Sequence, residues 1–222
     1  PGHSSAASDV YKRQELGKCL KKIVFGSWAQ QSLKVKRWPH WQDQIQIITW
    51  PRKPEGFKTY RDFQIFMGGD CIAECTTLFM ALDGLTRKPA KSAFYDDLIA
   101  LNIEEALELE TQKILPNKEA ELVNTITVRN SDIDVNRHVN NTKYSQWTLD
   151  SIPLTTHSKY KIFEFDINFT AETFLGDEIE IYHGVEFEND EIIDSNFYGK
   201  RKSDQKLVFS ALYKSFKLKT NG

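Results

Sequence analysis

Cysteine is scarce in this chain of 222 residues: Cys19, Cys71 and Cys75 are the only ones, and none follows position 75. An odd number without the paired spacing of a metal site argues against a disulfide framework and leaves reduced thiols as the expectation. Long apolar runs are missing as well, so no segment is expected to span a bilayer, and no signal-peptide pattern precedes a mature start. Charge of one sign is lacking: 29 Lys and Arg stand against 31 Asp and Glu, a net charge of −2, which is no footprint for nucleic acid. The G-x-S-x-G elbow, the P-loop and the G-x-G-x-x-G turn are all absent. His3, His40, His157 and His183 have no partners at ligand spacing, so neither a metal nor a cofactor is expected. These absences describe a soluble, intracellular and cytoplasmic protein without nucleic-acid or membrane partners.

What is present can fill a core: 40% of residues are hydrophobic and 12% aromatic. The length fits one large domain or two small ones. Residues 1–14 carry no periodicity, and the string from Ser5 to Gln14 resembles a translated sequencing adapter, so they are expected to be a non-native or disordered tail. Leu16, Cys19, Leu20 and Ile23 recur at helical spacing, which predicts the end of a helix over 15–24. Strands are expected at 28–38, 44–50, 57–67 and 71–82, joined by Pro and Gly turns in an antiparallel meander. In the last of these, Cys71, Ala73 and Cys75 would share one face. Residues 85–119 read as a connector, with a modestly helical acidic run at 96–110 that would be a solvated face. The layout then repeats. A strand at 122–128 leads to a polar loop, a helix at 142–152 and four more strands. In the first of those four, Phe163, Phe165, Ile167 and Phe169 alternate with Glu164, Asp166, Asn168 and Thr170 as a half-buried strand would. Strands at 178–186, 192–198 and 207–217 complete the set. The chain is thus read as α+β, with a first half at 15–84, a linker at 85–119 and a second half at 120–222.

The polar loop is the densest chemistry in the chain. Asp132-Ile133-Asp134-Val135-Asn136-Arg137-His138-Val139-Asn140-Asn141 sets acid, amide and imidazole groups within ten positions. Asp134, Asn136 and His138 are spaced i, i+2, i+4, which in an extended backbone puts all three on one face. The amides that follow would open a helix and attract negative charge. Any one Asp or Asn here is explained by turns and caps, but turn chemistry needs neither the histidine nor the spacing.

The run from Ser131 to Tyr144, followed by Trp147 and Asp150-Ser151-Ile152-Pro153, resembles the signature of the acyl-acyl-carrier-protein (acyl-ACP) thioesterases. Leu33-Lys34-Val35-Lys36-Arg37-Trp38-Pro39, Ile48-Thr49-Trp50-Pro51, Tyr60-Arg61-Asp62-Phe63 and Leu82-Asp83-Gly84-Leu85-Thr86-Arg87-Lys88-Pro89 are similar to that family's first half, in order. The resemblance covers about 16–217. It implies two hotdog domains in tandem, each a sheet wrapped around one helix, with the first helix largely missing from this chain. It implies hydrolysis of fatty acyl-ACP to free fatty acid, with acyl carrier protein as partner; a homodimer is left open.

The segment from Asn168 to Asp177 resembles the family's second catalytic element, in which a glutamate precedes a cysteine in plant members; here these positions are Glu172 and Thr173. The resemblance therefore implies a site of Asp134, Asn136, His138 and Glu172. Without a cysteine, and with no evident base to activate Thr173, the expected reaction is carboxylate-driven. A partly buried Glu172 would act as general base on water, with direct attack through an anhydride as the variant. Asn136, His138 and the amides near Asn140 would stabilise the oxyanion, and Asp134 would orient them or share the base role. Lys34, Lys36, Arg37, Lys200, Arg201 and Lys202 are candidate contacts for an acidic carrier protein, or ordinary solubilising charge. Acyl-CoA hydrolysis and a non-catalytic acyl-binding module are the other readings, with dehydration of hydroxyacyl groups behind them.

Overall fold

The computed structural model describes residues 24–83, 85–91, 107–135 and 137–218. The expected tail at 1–14, most of the helix at 15–24 and Asn136 lie outside these residues. Nine strands make one antiparallel sheet in the order β2-β3-β4-β1-β6-β9-β8-β7-β5. They are β1 (Val24–Val35), β2 (Gln46–Pro51), β3 (Lys58–Met67), β4 (Asp70–Asp83), β5 (Glu121–Thr127), β6 (Tyr160–Phe169), β7 (Glu178–Glu188), β8 (Ile192–Arg201) and β9 (Leu207–Lys217). Helix α1 (Asn141–Asp150) and the single turn α2 (Leu154–His157) lie between β5 and β6.

Each expected strand is present, most with shifted ends and the last, 207–217, with none. Val24, read as the end of a helix, is already in β1. That strand stops at Val35 because Lys36 and Arg37 both donate their amides to Ile72 O, at 2.8 and 3.2 Å. The first four strands and the last five meet where β1 pairs with β6, from Gln30↔Asn168 to Lys34↔Glu164.

Helix α1 starts at a side-chain cap. Asn140 Oδ1 accepts from Thr142 N at 3.0 Å and from Thr142 Oγ1 at 2.8 Å, satisfying an amide the helix cannot. It ends before Pro153, which has no N–H to continue the ladder. Tyr144 and Trp147 are its buried aromatics. They pack with Phe165, Ile167, Ile179, Phe197 and Phe209 in a core belonging to the second half. Each such side chain contributes about 1.5–3 kcal/mol on full burial. Gly199 of β8 belongs to that packing: a Cβ there would sit 2.3 Å from Phe209 Cε1.

Phe165 and Ile167 face α1, so Asp166 and Asn168 point to the opposite face of the sheet. That polar face was expected to be solvated. Instead Asp166 is 2% and Asn168 5% exposed, because residues 107–118 run over them as a strap. Gln112 Nε2 donates to Asp166 Oδ2 at 2.8 Å, Ile114 N to Asn168 Oδ1 at 2.7 Å, and Asn168 Nδ2 to Gln112 O at 2.8 Å. Further along, Ser210 Oγ donates to Ile114 O and Asn196 Nδ2 to Leu115 O, both at 3.0 Å. Burial pushes the Asp166 carboxyl above its usual range, although Ser32 and Gln112 donate to it. The strap is also latched to the first half. Arg52 Nε pairs with the fully buried Asp62 at 2.7 Å, its Nη2 donates to Leu107 O and Leu109 O, and Leu107 N donates to Asp62 Oδ2. Residues 107–110, the described end of the acidic run, are therefore irregular rather than helical, and Leu109 is buried.

Candidate active site

The polar loop is not extended. A 3₁₀ turn, Asn130–Asp132, delivers it, and Ile133 and Val139 form an isolated antiparallel bridge that brings Asp134 and His138 near each other. Asp134 N donates to His138 O at 2.9 Å and Arg137 N to Asp134 O at 3.0 Å; Arg137 takes a φ of 65°. Asp134 and His138 are thus brought together across a turn, not along one face of a strand. Asp134 Oδ1 accepts from the His138 amide at 3.4 Å, so this carboxylate supports the loop that carries the imidazole.

Glu172 comes from the segment between β6 and β7. Val139 N donates to Thr173 O at 3.2 Å and ties that segment to the loop. His138 Nε2 then stands 3.8 Å from Glu172 Oε2, and its ring meets the Phe174 ring edge-on at 5.4 Å. At 42% side-chain exposure, Glu172 lacks the burial expected of it. Its environment is set by charge: Arg87 Nη2 donates to Oε1 at 3.0 Å and to Oε2 at 3.2 Å. Arg201 Nη2 donates to the backbone oxygen of Glu172.

These groups open onto a cavity of about 730 Å³. Asp134, His138, Tyr144 and Glu172 line it from the second half; Gly26, Trp28, Leu82 and Arg87 line it from the first. A second cavity, of about 690 Å³, opens at the other end of α1 beside Ile152, His157, His183 and Tyr213. Burial lowers the His183 imidazole and raises the Tyr213 phenol, and no carboxylate lines that cavity. Of these two cavities, the first is the one in which carboxylate and imidazole meet.

One expectation is kept here, that Thr173 has no base to activate it, and one changes. Thr173 is fully buried, and its Oγ1 is 2.6 Å from Tyr144 OH. Burial pushes that phenol up to about 12, so it stays protonated and offers Thr173 no base. The helix-start amides are also largely taken: Val139 N, Asn140 N, Thr142 N and Lys143 N bond to Thr173 O, Asp132 O, Asn140 Oδ1 and Asn140 O. Asn141, the first residue of α1, lines the cavity. Sequence reasoning missed Arg87. It stood in view in the turn after β4, but nothing local says that this turn reaches a glutamate 85 positions on.

The candidate carrier contacts are mostly paired within the chain. Lys34 meets Glu164, Lys36 meets Glu74, Arg37 meets Asp70 and Lys202 meets Glu178, while Lys200 lies over the Tyr182 and Tyr198 rings. Arg201, 17% exposed and paired to Asp177 and Asp204, supports the site rather than a rim.

Residues 27–101 match the acyl-ACP thioesterase N-terminal domain, and residues 115–211 the acyl-ACP thioesterase C-terminal domain. The chain belongs to the acyl-ACP thioesterase family. A palmitoyl-acyl carrier protein thioesterase of Gossypium hirsutum is 28% identical over 163 residues, 69% of this chain and 39% of that protein. A dodecanoyl-[acyl-carrier-protein] hydrolase of Cinnamomum camphora is 27% identical over 150 residues, 62% of this chain and 38% of that protein. Both are chloroplastic, and the chain spans about two fifths of their length. Among solved structures, an acyl-ACP thioesterase from Bacteroides thetaiotaomicron superposes with a TM-score of 0.76 at 22% identity, over 86% of this chain and 76% of that one. The 12:0-ACP thioesterase from Umbellularia californica gives 0.76 at 18% identity, over 95% and 85%. A protein from Alicyclobacillus acidocaldarius described as having a hot dog fold superposes with a TM-score of 0.53 at 9% identity, over 88% of this chain and 80% of that one, and the antiparallel sheet with few helices among the described residues agrees with that fold. No helix among the described residues is long and apolar enough to cross a membrane.

Proposed function

We propose that the protein hydrolyses the thioester of fatty acyl-ACP and releases free fatty acid, ending fatty-acid synthesis in the cytoplasm. The observation that carries this reading is the Glu172–His138 pair at the mouth of a cavity walled by both halves of a family member's sheet. The first half (15–84) and second half (120–222) are read as a tandem double hotdog. Support comes from the strap at 107–118 and from the single junction between β1 and β6.

In the mechanism we favour, Glu172 takes the proton of a water that attacks the thioester carbonyl. A gap of 3.8 Å to His138 Nε2 is too long for a direct hydrogen bond, and an attacking water beside it would be in reach of both groups. His138 and Asn141 face the carbonyl as donors for the oxyanion. Asp134 holds the loop in shape. Asn136 joins this set on sequence grounds. The acyl chain occupies the cavity against Trp28 and Leu82, and the leaving thiolate carries the carrier protein's arm away.

The test is hydrolysis of acyl-ACP, with acyl-CoA in parallel, by Glu172→Gln and His138→Ala. General-base removal is expected to lower kcat by about 10²–10⁴-fold. Unchanged kcat in both variants would sink the assignment, and a preference for acyl-CoA would move the substrate.

A further inference from the structure

We infer that Arg87 is a positioning residue for this reaction: delivered by the first half, it aims and holds the Glu172 carboxylate of the second. The inference rests on Glu172 being the general base.

The geometry is specific. One guanidinium nitrogen, Nη2, donates to both carboxylate oxygens, at 3.0 and 3.2 Å. Contacts to both oxygens keep each of them within reach of the guanidinium and restrain the carboxylate more than a contact to one would. The remaining lone-pair direction on Oε2 is then free to point toward His138, 3.8 Å away. The backbone of the same residue is held independently by Arg201 Nη2, itself anchored by Asp177 and Asp204. Glu172 is thus gripped at its main chain from β8 and at its side chain from the turn after β4. At 42% exposure a glutamate would otherwise sample several rotamers, and a base must be placed before it is useful.

The turn that carries Arg87 is built to hold it out. Asp83 Oδ1 accepts from Leu85 N at 3.1 Å, from Thr86 N at 2.8 Å and from Thr86 Oγ1 at 3.0 Å. Arg87 N donates to Asp83 O at 2.9 Å, and Asp83 N to Lys88 O at 2.9 Å. Arg87 itself takes a φ of 57°, in the left-handed region that side chains other than glycine seldom adopt. Such a conformation persists where its surroundings impose it, and it clusters at functional sites. The strained residue here is the one that reaches the glutamate. Because Leu82 and Arg87 also line the cavity, the first half does more than wall the acyl chain: it completes the reacting end.

The experiment is a double-mutant cycle on acyl-ACP and on a small acyl thioester lacking the carrier. Arg87→Gln is expected to lower kcat by about 10- to 100-fold on both substrates while KM stays within about twofold, since a misplaced base costs turnover rather than binding. Arg87→Lys keeps the charge and a single donor nitrogen, and is expected to recover part of that loss. In a Glu172→Gln background, Arg87→Gln is expected to add nothing, because the group it positions is already gone. Losses that multiply across the two backgrounds would overturn the inference. So would a rise in KM confined to acyl-ACP with kcat unchanged, which would make Arg87 a carrier contact. Wild-type kcat in Glu172→Gln alone would overturn the reading of the base and this inference with it. Should Arg87→Gln fail to fold, Arg87→Lys takes its place in the cycle, with the same non-additivity expected.

Discussion

The second half of the sheet buries its apolar face against α1, and the buried members of the main hydrophobic cluster run from Val128 to Tyr213, with Leu33 of the first half packed against them. The first half is held on other terms among the described residues. Its buried positions mix apolar Trp50, Ile72, Ala73, Leu78 and Ala81 with polar Thr59, Asp62, Thr76 and Thr77, the Arg52–Asp62 ion pair lies among them, and Trp41, Ile45, Ile47 and Ile48 stand exposed at and before its edge strand β2. Yet the carboxylates and imidazole of the candidate site sit in the half packed on α1, and the half with a buried ion pair supplies Arg87 and a wall of the cavity. The contrast teaches a division of labour: the half packed on α1 holds the loop and glutamate, and a separately anchored half is brought to it through the strap and the β1–β6 pairing.

The comparison breaks most visibly at Asp62. Replacing it with Ala leaves the Arg52 guanidinium, 16% exposed, without its buried partner and frees Leu107 N, so a loss of about 3–5 kcal/mol in urea unfolding is expected. Equal loss of both halves in that unfolding would show that the strap couples them; an early transition confined to the first half would separate them. Thr173→Val probes the packed half. It strands the Tyr144 hydroxyl, 2.6 Å from Thr173 Oγ1, at a cost of about 1–3 kcal/mol, while kcat is expected to stay within about threefold. Loss of all turnover in a folded variant would point to Thr173 as nucleophile, against the carboxylate-driven reading.

A smaller effect sits at the junction. Burial raises the Asp166 carboxyl above its unfolded value, so the folded state binds that proton more tightly than the unfolded chain. The stability this gives is present below the unfolded value near 3.8 and is lost as pH rises through the raised folded value. Asp166→Asn cannot titrate, so wild type is expected to lose ground relative to it as pH rises from about 3.5 to 7 in thermal melts. Parallel pH curves for the two proteins would refute this.

Strand positions were legible because alternation is local: Phe163 to Phe169 read as β6 from their period alone. The helix at 142–152 was placed to within two residues at its end, since Asn140 and Pro153 are local signals. His138 stood out from the composition of its loop, but its pairing with Glu172 was legible only through resemblance, since 33 residues of intervening chain hide a contact of 3.8 Å. Three things escaped. Asp166 and Asn168 looked solvated because no pattern in β6 reports a strap arriving from residues 107–118. The loop at 133–139 looked extended because a two-residue spacing also fits a turn closed by Asp134. Arg87 looked like a turn residue because its partner comes from the other half.

The strap also orders events in time. Its acceptors and donors lie on Asp62 of β3, Asp166 and Asn168 of β6, Asn196 of β8 and Ser210 of β9. Several are reached across 54 to 96 residues of sequence. A segment with such scattered partners has nothing to dock on until those strands lie side by side, so it locks after the sheet assembles. It is a seal on a finished sheet rather than a seed for one, and its amides are expected to exchange ahead of those in β6 and β9.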